Sequence, residues 1–208
     1  EIDGHSDCVN DVAYEPDRGD QVASVSDDHT CRIWSVQGEQ ELCLPLHSPG
    51  MSIRWLAQDT AKIMVAEKRG VIGFYNLSTQ QRIMSLDCGE SPLLSADWCS
   101  SNLLRVAALA GPHCFQFDTS TSSQPTDSRV ISADGGVAVR WSKSHDHLLA
   151  SVGSPGSQIR VINTRTKQVL VSLDLLVVTD ISWHARLPLL ASGGDKKVHF
   201  FLAEQIAK

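Results

Sequence analysis

Three polar residues near the start of the chain are of the types found in a hydrolytic triad. Ser24, His5 and Asp28 could supply a nucleophile, a general base and a carboxylate that orients the base. The sequence has no Gly-x-Ser-x-Gly segment, the turn that exposes a nucleophilic serine in many hydrolases. The same three residue types also serve as internal hydrogen-bonding groups, and we favour that interpretation for this chain.

Two other patterns could carry chemistry. His145-Asp146-His147 offers imidazole and carboxylate ligands for a metal, but no third ligand converges on it, so we interpret it as a solvated turn. Cys31, Cys99 and Cys114 lie in or next to predicted strands, which favours core packing over nucleophilic roles. We therefore expect no catalytic residue, no metal, no cofactor and no small-molecule substrate.

The length and charge of the chain exclude some classes of function. The chain has 208 residues, with 18 Lys and Arg against 24 Asp and Glu and a formal net charge of −6. This balance argues against direct nucleic-acid binding, which depends on Lys and Arg contacts to phosphates. No uninterrupted apolar run reaches about 18 residues, so we expect no membrane insertion. Six cysteines without a Cys-x-x-Cys pair indicate reduced thiols in the cytosol or nucleus.

The strongest signal in the sequence is an internal repeat. A first series of aromatic residues recurs at intervals of 41, 43, 43 and 42 residues: Tyr14, Trp55, Trp98, Trp141 and Trp183. A second series follows about 20 residues after each member of the first: Trp34, Tyr75, Phe117, Ile162 and Phe201. Two series in phase over five copies predict five structural repeats.

Each repeat contains the same succession of predicted elements. An alternating strand ends at the first aromatic, a polar turn follows, and a strand of small apolar residues such as Val22-Ala23-Ser24-Val25 comes next. A third strand ends at the second aromatic position, and a fourth closes the unit. Four short strands per roughly 42 residues are typical of a β-propeller blade. The alternative, an ordinary sandwich, does not require a fixed phase. We therefore predict an all-β propeller domain over residues 1–208, with blades at about 4–46, 47–88, 89–130, 131–174 and 175–208.

The first repeat resembles the WD40 family. The resemblance rests on Gly4-His5 and on the stretch from Ala23 to Trp34, Ala-Ser-Val-Ser-Asp-Asp-His-Thr-Cys-Arg-Ile-Trp. It implies a buried hydrogen-bonded relay of His5, Ser24, Asp28 and Trp34. The later repeats depart from this pattern. Arg69 aligns with Asp28 in the second repeat, and Asp195 is kept in the fifth, although that repeat ends in Phe201 instead of Trp.

Further stretches are similar to the WD40 nucleoporins, propeller subunits of the Y-shaped outer-ring complex of the nuclear pore. They are Leu46 to Ser52, Met64 to Lys68, and Ser182 to His184. The resemblance implies a seven-bladed propeller, of which this chain would hold five blades, with about two N-terminal blades outside it. A closed ring of five blades is the alternative.

The same resemblance implies a non-catalytic scaffold protein at the nuclear envelope. It would dock on the largest scaffold nucleoporin of the Y-complex, serve pore assembly and nucleocytoplasmic transport, and associate with kinetochores in mitosis. Leu175 and Leu176, large apolar residues at a predicted turn, are the candidate partner-binding residues, unless both are buried between blades.

Two competing functions are considered. A peptide-reading adaptor of a ubiquitin ligase or a histone-binding complex would use cations at the channel mouth, for which Arg54 and Arg140 are candidates. An enzyme on a propeller would need converging carboxylates or histidines on the axial strands, where this sequence has mainly small or apolar residues.

Overall fold

The computed structural model describes residues 4–130, 136–153 and 157–203. Within these ranges the chain forms strands joined by turns and contains no helix. Accordingly, the described residues include no helix long and apolar enough to cross a membrane. The all-β fold class predicted from the repeat is confirmed.

Five antiparallel sheets follow one another along the sequence, and each sheet has its strands in chain order. Sheet 1 contains β1 (Val9–Tyr14), β2 (Gln21–Ser26), β3 (Thr30–Ser35) and β4 (Gln40–Pro45). Sheet 2 contains β5 (Gly50–Trp55), β6 (Lys62–Glu67), β7 (Val71–Asn76) and β8 (Gln81–Asp87). Sheet 3 contains β9 (Leu93–Trp98), β10 (Arg105–Ala110), β11 (His113–Asp118) and β12 (Asp127–Val130). Sheet 4 contains β13 (Gly136–Trp141), β14 (Leu148–Gly153), β15 (Gln158–Asn163) and β16 (Gln168–Asp174). Sheet 5 contains β17 (Asp180–Trp183), β18 (Leu189–Gly194) and β19 (Lys197–Leu202).

The sheets repeat in detail, including in their irregularities. In sheets 1, 2 and 4 the register between the first and second strands shifts near the start of the first strand, between Val9 and Asp11, Gly50 and Ser52, and Gly136 and Ala138. In the same sheets the pairing of the third and fourth strands shifts at Ile33/Trp34, Phe74/Tyr75 and Val161/Ile162. Such bulges bend a strand and increase its twist. Their recurrence shows that these sheets are copies of one supersecondary unit.

The chain divides into two compact units, Glu1–Leu94 and Ser95–Lys208, and the division falls inside β9. In the first unit, sheets 1 and 2 pack face to face over one apolar core. Ala23, Val25 and Ile33 of sheet 1 and Ile63 and Val65 of sheet 2 all belong to this core and are at most 2% exposed. Alternation along each strand places these side chains on one face, so burial of that face joins the two sheets.

The second unit has a comparable core between sheets 4 and 5. Ala150, Val152 and Ile159 of sheet 4 pack with Ile181 and Leu190 of sheet 5. A smaller cluster joins sheet 3 to the other face of sheet 4: Cys99, Ala107, Leu109, Cys114, Val139, Trp141 and Leu149. Small residues on the second strands, which the sequence pattern singled out, allow these close approaches between sheets.

A hairpin turn in sheet 2 provides a test of this packing. Gly70 adopts φ +98°, and a Cβ atom there would overlap the carbonyl oxygen of Glu90. Gly89 has φ +70° but has open space around the position of a Cβ. We expect Gly70→Ala to lower the free energy of unfolding by about 3 kcal/mol or more, because left-handed strain and a backbone clash add. Gly89→Ala should lower it by about 1 kcal/mol, from strain alone. Urea denaturation of both variants measures the difference, and equal losses would contradict the clash.

Candidate functional site

Four side chains of sheet 1 and its preceding loop form a continuous chain of hydrogen bonds. His5 Nδ1 lies 2.8 Å from Asp28 Oδ2, and His5 Nε2 lies 2.7 Å from Ser24 Oγ. Trp34 donates its indole N–H to the same Ser24 oxygen over 2.8 Å. Because His5 donates from Nδ1 to the carboxylate, its Nε2 accepts the hydroxyl proton of Ser24. The structure therefore brings together the four residues that the WD40 resemblance assigned to a relay.

Separate elements supply the members of this relay. His5 precedes β1, Ser24 lies on β2, Asp28 lies in the turn after β2, and Trp34 lies on β3. The hydrogen bonds connect the loop that enters the sheet to the two strands that follow it. This connection fixes the entering loop relative to the sheet.

Asp28 is the electrostatic centre of the relay. Its carboxylate accepts hydrogen bonds from the Thr30 hydroxyl at 2.6 Å and from the amides of Thr30 and Ser6 at 2.9 and 3.1 Å. Burial by itself would raise the pKa of Asp28, but hydrogen bonds from Thr30, His5 and the Ser6 amide outweigh burial and hold that pKa far below its usual range. The carboxylate is therefore ionised at neutral pH.

The surroundings of Ser24 differ from those of a catalytic serine. Ser24 lies in the middle of β2, paired with Val12 on one side and Arg32 on the other, and is 4% exposed. Its hydroxyl already donates to His5 and accepts from the Trp34 indole. Because the neighbouring backbone belongs to the strand ladder, it offers no pair of free amides for an oxyanion. The arrangement supports internal hydrogen bonding rather than nucleophilic attack.

The equivalent serines of sheets 4 and 5 have lost the relay. Ser151 and Ser192 occupy the position of Ser24 in the segments Leu-Ala-Ser-Val and Leu-Ala-Ser-Gly. Both hydroxyl oxygens are buried, and within the described part of the chain neither has a hydrogen-bond partner. Ile162 and Phe201 stand where Trp34 stands in the first repeat, so no indole is available to reach these serines.

Sheet 2 replaces the relay with a carboxylate from another position. Glu67, the last residue of β6, is 0% exposed and accepts the amides of His47 and Ser48 at 2.9 and 3.1 Å. Arg69 donates its Nε–H to the same oxygen over 3.2 Å. The other carboxylate oxygen has no hydrogen-bond partner among the described residues, and Arg82 Nη1 lies 3.9 Å from it. Glu67 therefore binds the loop that enters sheet 2.

Sequence reasoning missed Glu67. In the second repeat, Arg69 occupies the position that aligns with Asp28, and Glu67 lies two residues before it. The sequence did contain a signal for Glu67: it is an acidic residue at the end of a second strand, in a repeat that lacks the usual aspartate. Tyr75 fills the Trp34 position nearby, where burial and then the Glu67 charge raise the pKa of its phenol.

Sheet 5 keeps the aspartate without the histidine. Asp195 accepts the amides of Leu176 and Val177 at 3.1 and 3.0 Å. A Cβ atom on Gly194 would overlap the carbonyl oxygen of Val177, so the entering loop lies directly on the turn between β18 and β19. In sheets 1, 2 and 5, then, one carboxylate accepts hydrogen bonds from backbone amides of the entering loop, one amide in sheet 1 and two each in sheets 2 and 5.

The matched family model is that of the WD domain, G-beta repeat, and it covers residues 1–35 and 174–201. These segments include the complete relay of sheet 1 and the Asp195 turn of sheet 5. In these two segments the chain matches the WD40 repeat. Its five successive antiparallel sheets agree with the β-propeller fold of that family.

The chain is also similar to three nucleoporins. It is 43% identical to Nucleoporin Nup37 of Mus musculus and 42% identical to that of Homo sapiens, each over 206 residues. It is 34% identical to Nucleoporin Nup37 of Drosophila melanogaster over 200 residues. The alignments cover 98, 98 and 95% of this chain, but only 63, 63 and 62% of the relatives. The chain thus spans less than two thirds of the length of these relatives.

The two leucines predicted to bind a partner have different environments in the fifth WD40 repeat. Leu175 is half-buried and packs against the core between sheets 4 and 5. Leu176 is 84% exposed, and its neighbour Val177 is 54% exposed. The alternative prediction was that both leucines are buried between blades. Leu175 is partly buried, whereas Leu176 is exposed.

Arg54 and Arg140 form ion pairs and hydrogen bonds with residues of neighbouring sheets. Arg54 Nη1 lies 2.7 Å from Asp11 Oδ2, which also accepts the Ile53 amide at 3.1 Å. Arg140 donates to Ser95 Oγ over 2.9 Å and forms an ion pair with Asp180 at 3.2 Å. Both cations thus link first strands of neighbouring sheets inside one unit, which gives them a structural partner in place of a peptide ligand.

The cysteines and histidines set aside in the sequence have ordinary surroundings. Burial raises the pKa of the Cys31 thiol, and it raises that of Cys114 to about 12, so neither forms a thiolate at neutral pH. The His145 and His147 rings are 5.6 Å apart. The intervening Asp146 accepts two hydrogen bonds from Arg165 at 2.8 Å, and its Oδ1 lies 3.5 Å from His147 Nδ1.

One surface group of potential ligands was missed in the sequence. Single donor atoms of Asp7, Cys8 and Asp27 lie within 4.8 Å of one another in the loop and turn beside the relay. The two carboxylates already accept hydrogen bonds, Asp7 from the Cys8 amide and Asp27 from Asn10.

Substitution of two equivalent serines tests the relay. Ser24→Ala leaves the Trp34 indole and His5 Nε2 without a partner, and we expect it to lower the free energy of unfolding by about 1–3 kcal/mol. Ser151→Ala is the matched control: it removes a buried hydroxyl for which the described part of the chain offers no partner, so stability should stay equal or rise. Thermal and urea denaturation measure both changes. A loss of the same size in both variants would argue against the relay.

The lowered pKa of Asp28 predicts a specific dependence on pH. A carboxylate with a folded pKa below its unfolded value of about 3.9 stabilises the fold above that pH, and the stabilisation declines as the pH falls toward the folded pKa. The stability difference between the wild type and Asp28→Asn should therefore be constant near pH 7 and shrink below about pH 4. Asp17→Asn, at an exposed turn, is the control and should differ little from the wild type at any pH. A difference that does not change between pH 7 and pH 2 would contradict this assignment.

Proposed function

We propose that this chain is a non-catalytic scaffold subunit of the nuclear pore Y-complex. In this role it docks on the largest scaffold nucleoporin, contributes to pore assembly and nucleocytoplasmic transport, and associates with kinetochores in mitosis. The observation that carries the proposal is the 42–43% identity to mammalian Nucleoporin Nup37 across 98% of the chain.

The geometry of the first repeat supports a scaffold rather than an enzyme. Ser24, of the predicted Ser-His-Asp arrangement, accepts a hydrogen bond from the Trp34 indole and lies within a paired strand. The residues of this arrangement connect strands of the sheet, so their chemistry is used for stability. Arg54 and Arg140, which a peptide-reading adaptor would need, are paired with acidic residues.

The loop between β16 and β17 is the proposed docking surface. Asp195 holds its backbone, and Leu176 and Val177 extend from it with more than half of their surface exposed. A large apolar side chain on a fixed loop loses little conformational entropy when a partner covers it. Leu175 supports this loop from below through its contacts with the core.

Replacement of Leu176 tests the docking surface. We expect Leu176→Asp to weaken binding to the purified largest Y-complex nucleoporin at least about tenfold, because a buried apolar contact at an interface is worth roughly 1–2 kcal/mol. Leu187→Asp is the matched control, an equally drastic change at an exposed leucine in the turn between β17 and β18. Both variants should keep the wild-type melting temperature.

Calorimetry or biolayer interferometry provides the affinities. If Leu176→Asp binds with the wild-type affinity, Leu176 does not belong to the docking surface. Failure of the folded wild-type chain to bind that nucleoporin would contradict the proposed function itself.

A further inference from the structure

Charge is distributed unequally between the two units. Residues 1–94 contain 7 Lys and Arg against 15 Asp and Glu, whereas residues 95–208 contain 11 against 9. The first unit therefore has a formal net charge of −8 and the second a net charge of +2. The acidic character of the protein resides entirely in the unit formed by sheets 1 and 2.

A groove of about 370 Å³ lies within this acidic unit, between sheets 1 and 2. Its floor is apolar and consists of Ile33, Leu42, Ala61 and Leu77. Ile33 is fully buried, whereas Leu42 and Leu77 are half-buried and border the core between the two sheets. The floor is thus continuous with the interior but accessible from solvent, and its size suits one or two side chains.

Polar groups surround the groove, and the one charged group among its lining residues is the carboxylate of Glu41. Glu41 is exposed and accepts one hydrogen bond from the neutral Gln21 amide group. Within the described residues Glu41 forms no ion pair, and the side chains of Thr60, Ser78 and Gln80 form no hydrogen bond with the protein. A negative charge and several free oxygen atoms therefore face the opening.

The turns of sheet 1 at the same end add to this negative charge. Asp17, Arg18 and Asp20 lie in the turn between β1 and β2, and Glu39 lies in the turn between β3 and β4. All four are exposed, and their net charge is −2. The Val36 amide donates to the Asp20 carbonyl oxygen over 3.0 Å, which holds the two turns together beside the groove. Acidic groups collected at one end attract cations over about 10 Å at moderate ionic strength.

We propose that this groove is a docking site for a basic segment of a protein partner. One Lys or Arg side chain of the partner lies with its methylene groups on Leu42 and Leu77, and its charged head reaches Glu41. Long cationic side chains bury their aliphatic stems and keep the charged end at a polar rim, which is the arrangement that this groove offers. An acidic side chain would be repelled by Glu41, and an apolar one would cover the free acceptors without pairing them. The proposal concerns a surface separate from Leu176 and does not depend on the nucleoporin role.

Titration with two defined peptides tests the site on the full 208-residue chain. The first probe is a capped pentapeptide, Gly-Ala-Arg-Ala-Gly, and the second has citrulline, the neutral isostere of arginine, at its centre. In ¹H–¹⁵N spectra we expect saturable shifts of the Leu42, Ala61 and Ser78 amides with the arginine peptide in the millimolar range, and none with the citrulline peptide. Raising the salt concentration to about 1 M, where the screening length is about 3 Å, should remove the shifts.

Two matched variants make the result specific. Glu41→Gln should weaken the arginine peptide about three- to fivefold, the range expected for a solvent-accessible ion pair. Glu39→Gln removes the same charge outside the groove and should change the affinity by less than about twofold. Both positions are exposed, so both variants should fold and melt like the wild type.

Three results would overturn the proposal: no saturable shift at tens of millimolar peptide, equal shifts with citrulline, or equal weakening by the two variants. Dimerisation that depends on protein concentration and disappears in Glu41→Gln would also overturn it, since a second copy of this chain would then occupy the groove.

Discussion

The structure depends on one recurring interaction, a carboxylate that binds the backbone amides of the loop entering a sheet. Asp28, Glu67 and Asp195 each perform this function, for sheets 1, 2 and 5. An entering loop has amides that no strand ladder satisfies, and a carboxylate can accept several of them at once. Each such contact joins a loop to the strand or turn that follows it in the same repeat. These contacts lie within a single repeat and do not depend on its packing against a neighbouring repeat.

This interaction recurs in sheets 1, 2 and 5, whereas the other buried polar groups differ from sheet to sheet. Sheet 1 has the full relay, in which Ser24 and Trp34 extend the hydrogen bonds into the sheet. Sheets 4 and 5 retain the serine, but among the described residues their buried hydroxyls have no hydrogen-bond partner. These sheets are stabilised chiefly by apolar packing, as the core between them shows. A hydrogen bond of this kind contributes about 1 kcal/mol, which the burial of one additional methylene group largely matches. Degenerate repeats can therefore keep the fold.

Because buried contacts stabilise the repeats, the exposed residues can vary and can contribute to recognition of a partner. Leu176 extends from a loop whose backbone is fixed by Asp195, so an apolar side chain is presented on a rigid support. The groove between sheets 1 and 2 borders their shared core, to which Ile33 belongs and against which Leu42 and Leu77 pack. In both cases the buried contacts determine the position of the surface, and the exposed residue types determine what it can bind. Affinity of this kind comes from a few side chains on a pre-organised frame.

Much of the fold was determined by the sequence alone. The period of about 42 residues placed the strands, and the WD40 resemblance identified His5, Ser24, Asp28 and Trp34, because these features depend on spacing within a single repeat. Glu67 could not be found in this way, since its role depends on which loop its strand end meets after folding. The neighbouring residues Leu175 and Leu176 differ in burial, because Leu175 packs against the core between sheets 4 and 5 and Leu176 is exposed. The groove combines segments up to about sixty residues apart in sequence. Burial and pairing between distant segments are properties of the packed sheets, and only the tertiary structure could decide them.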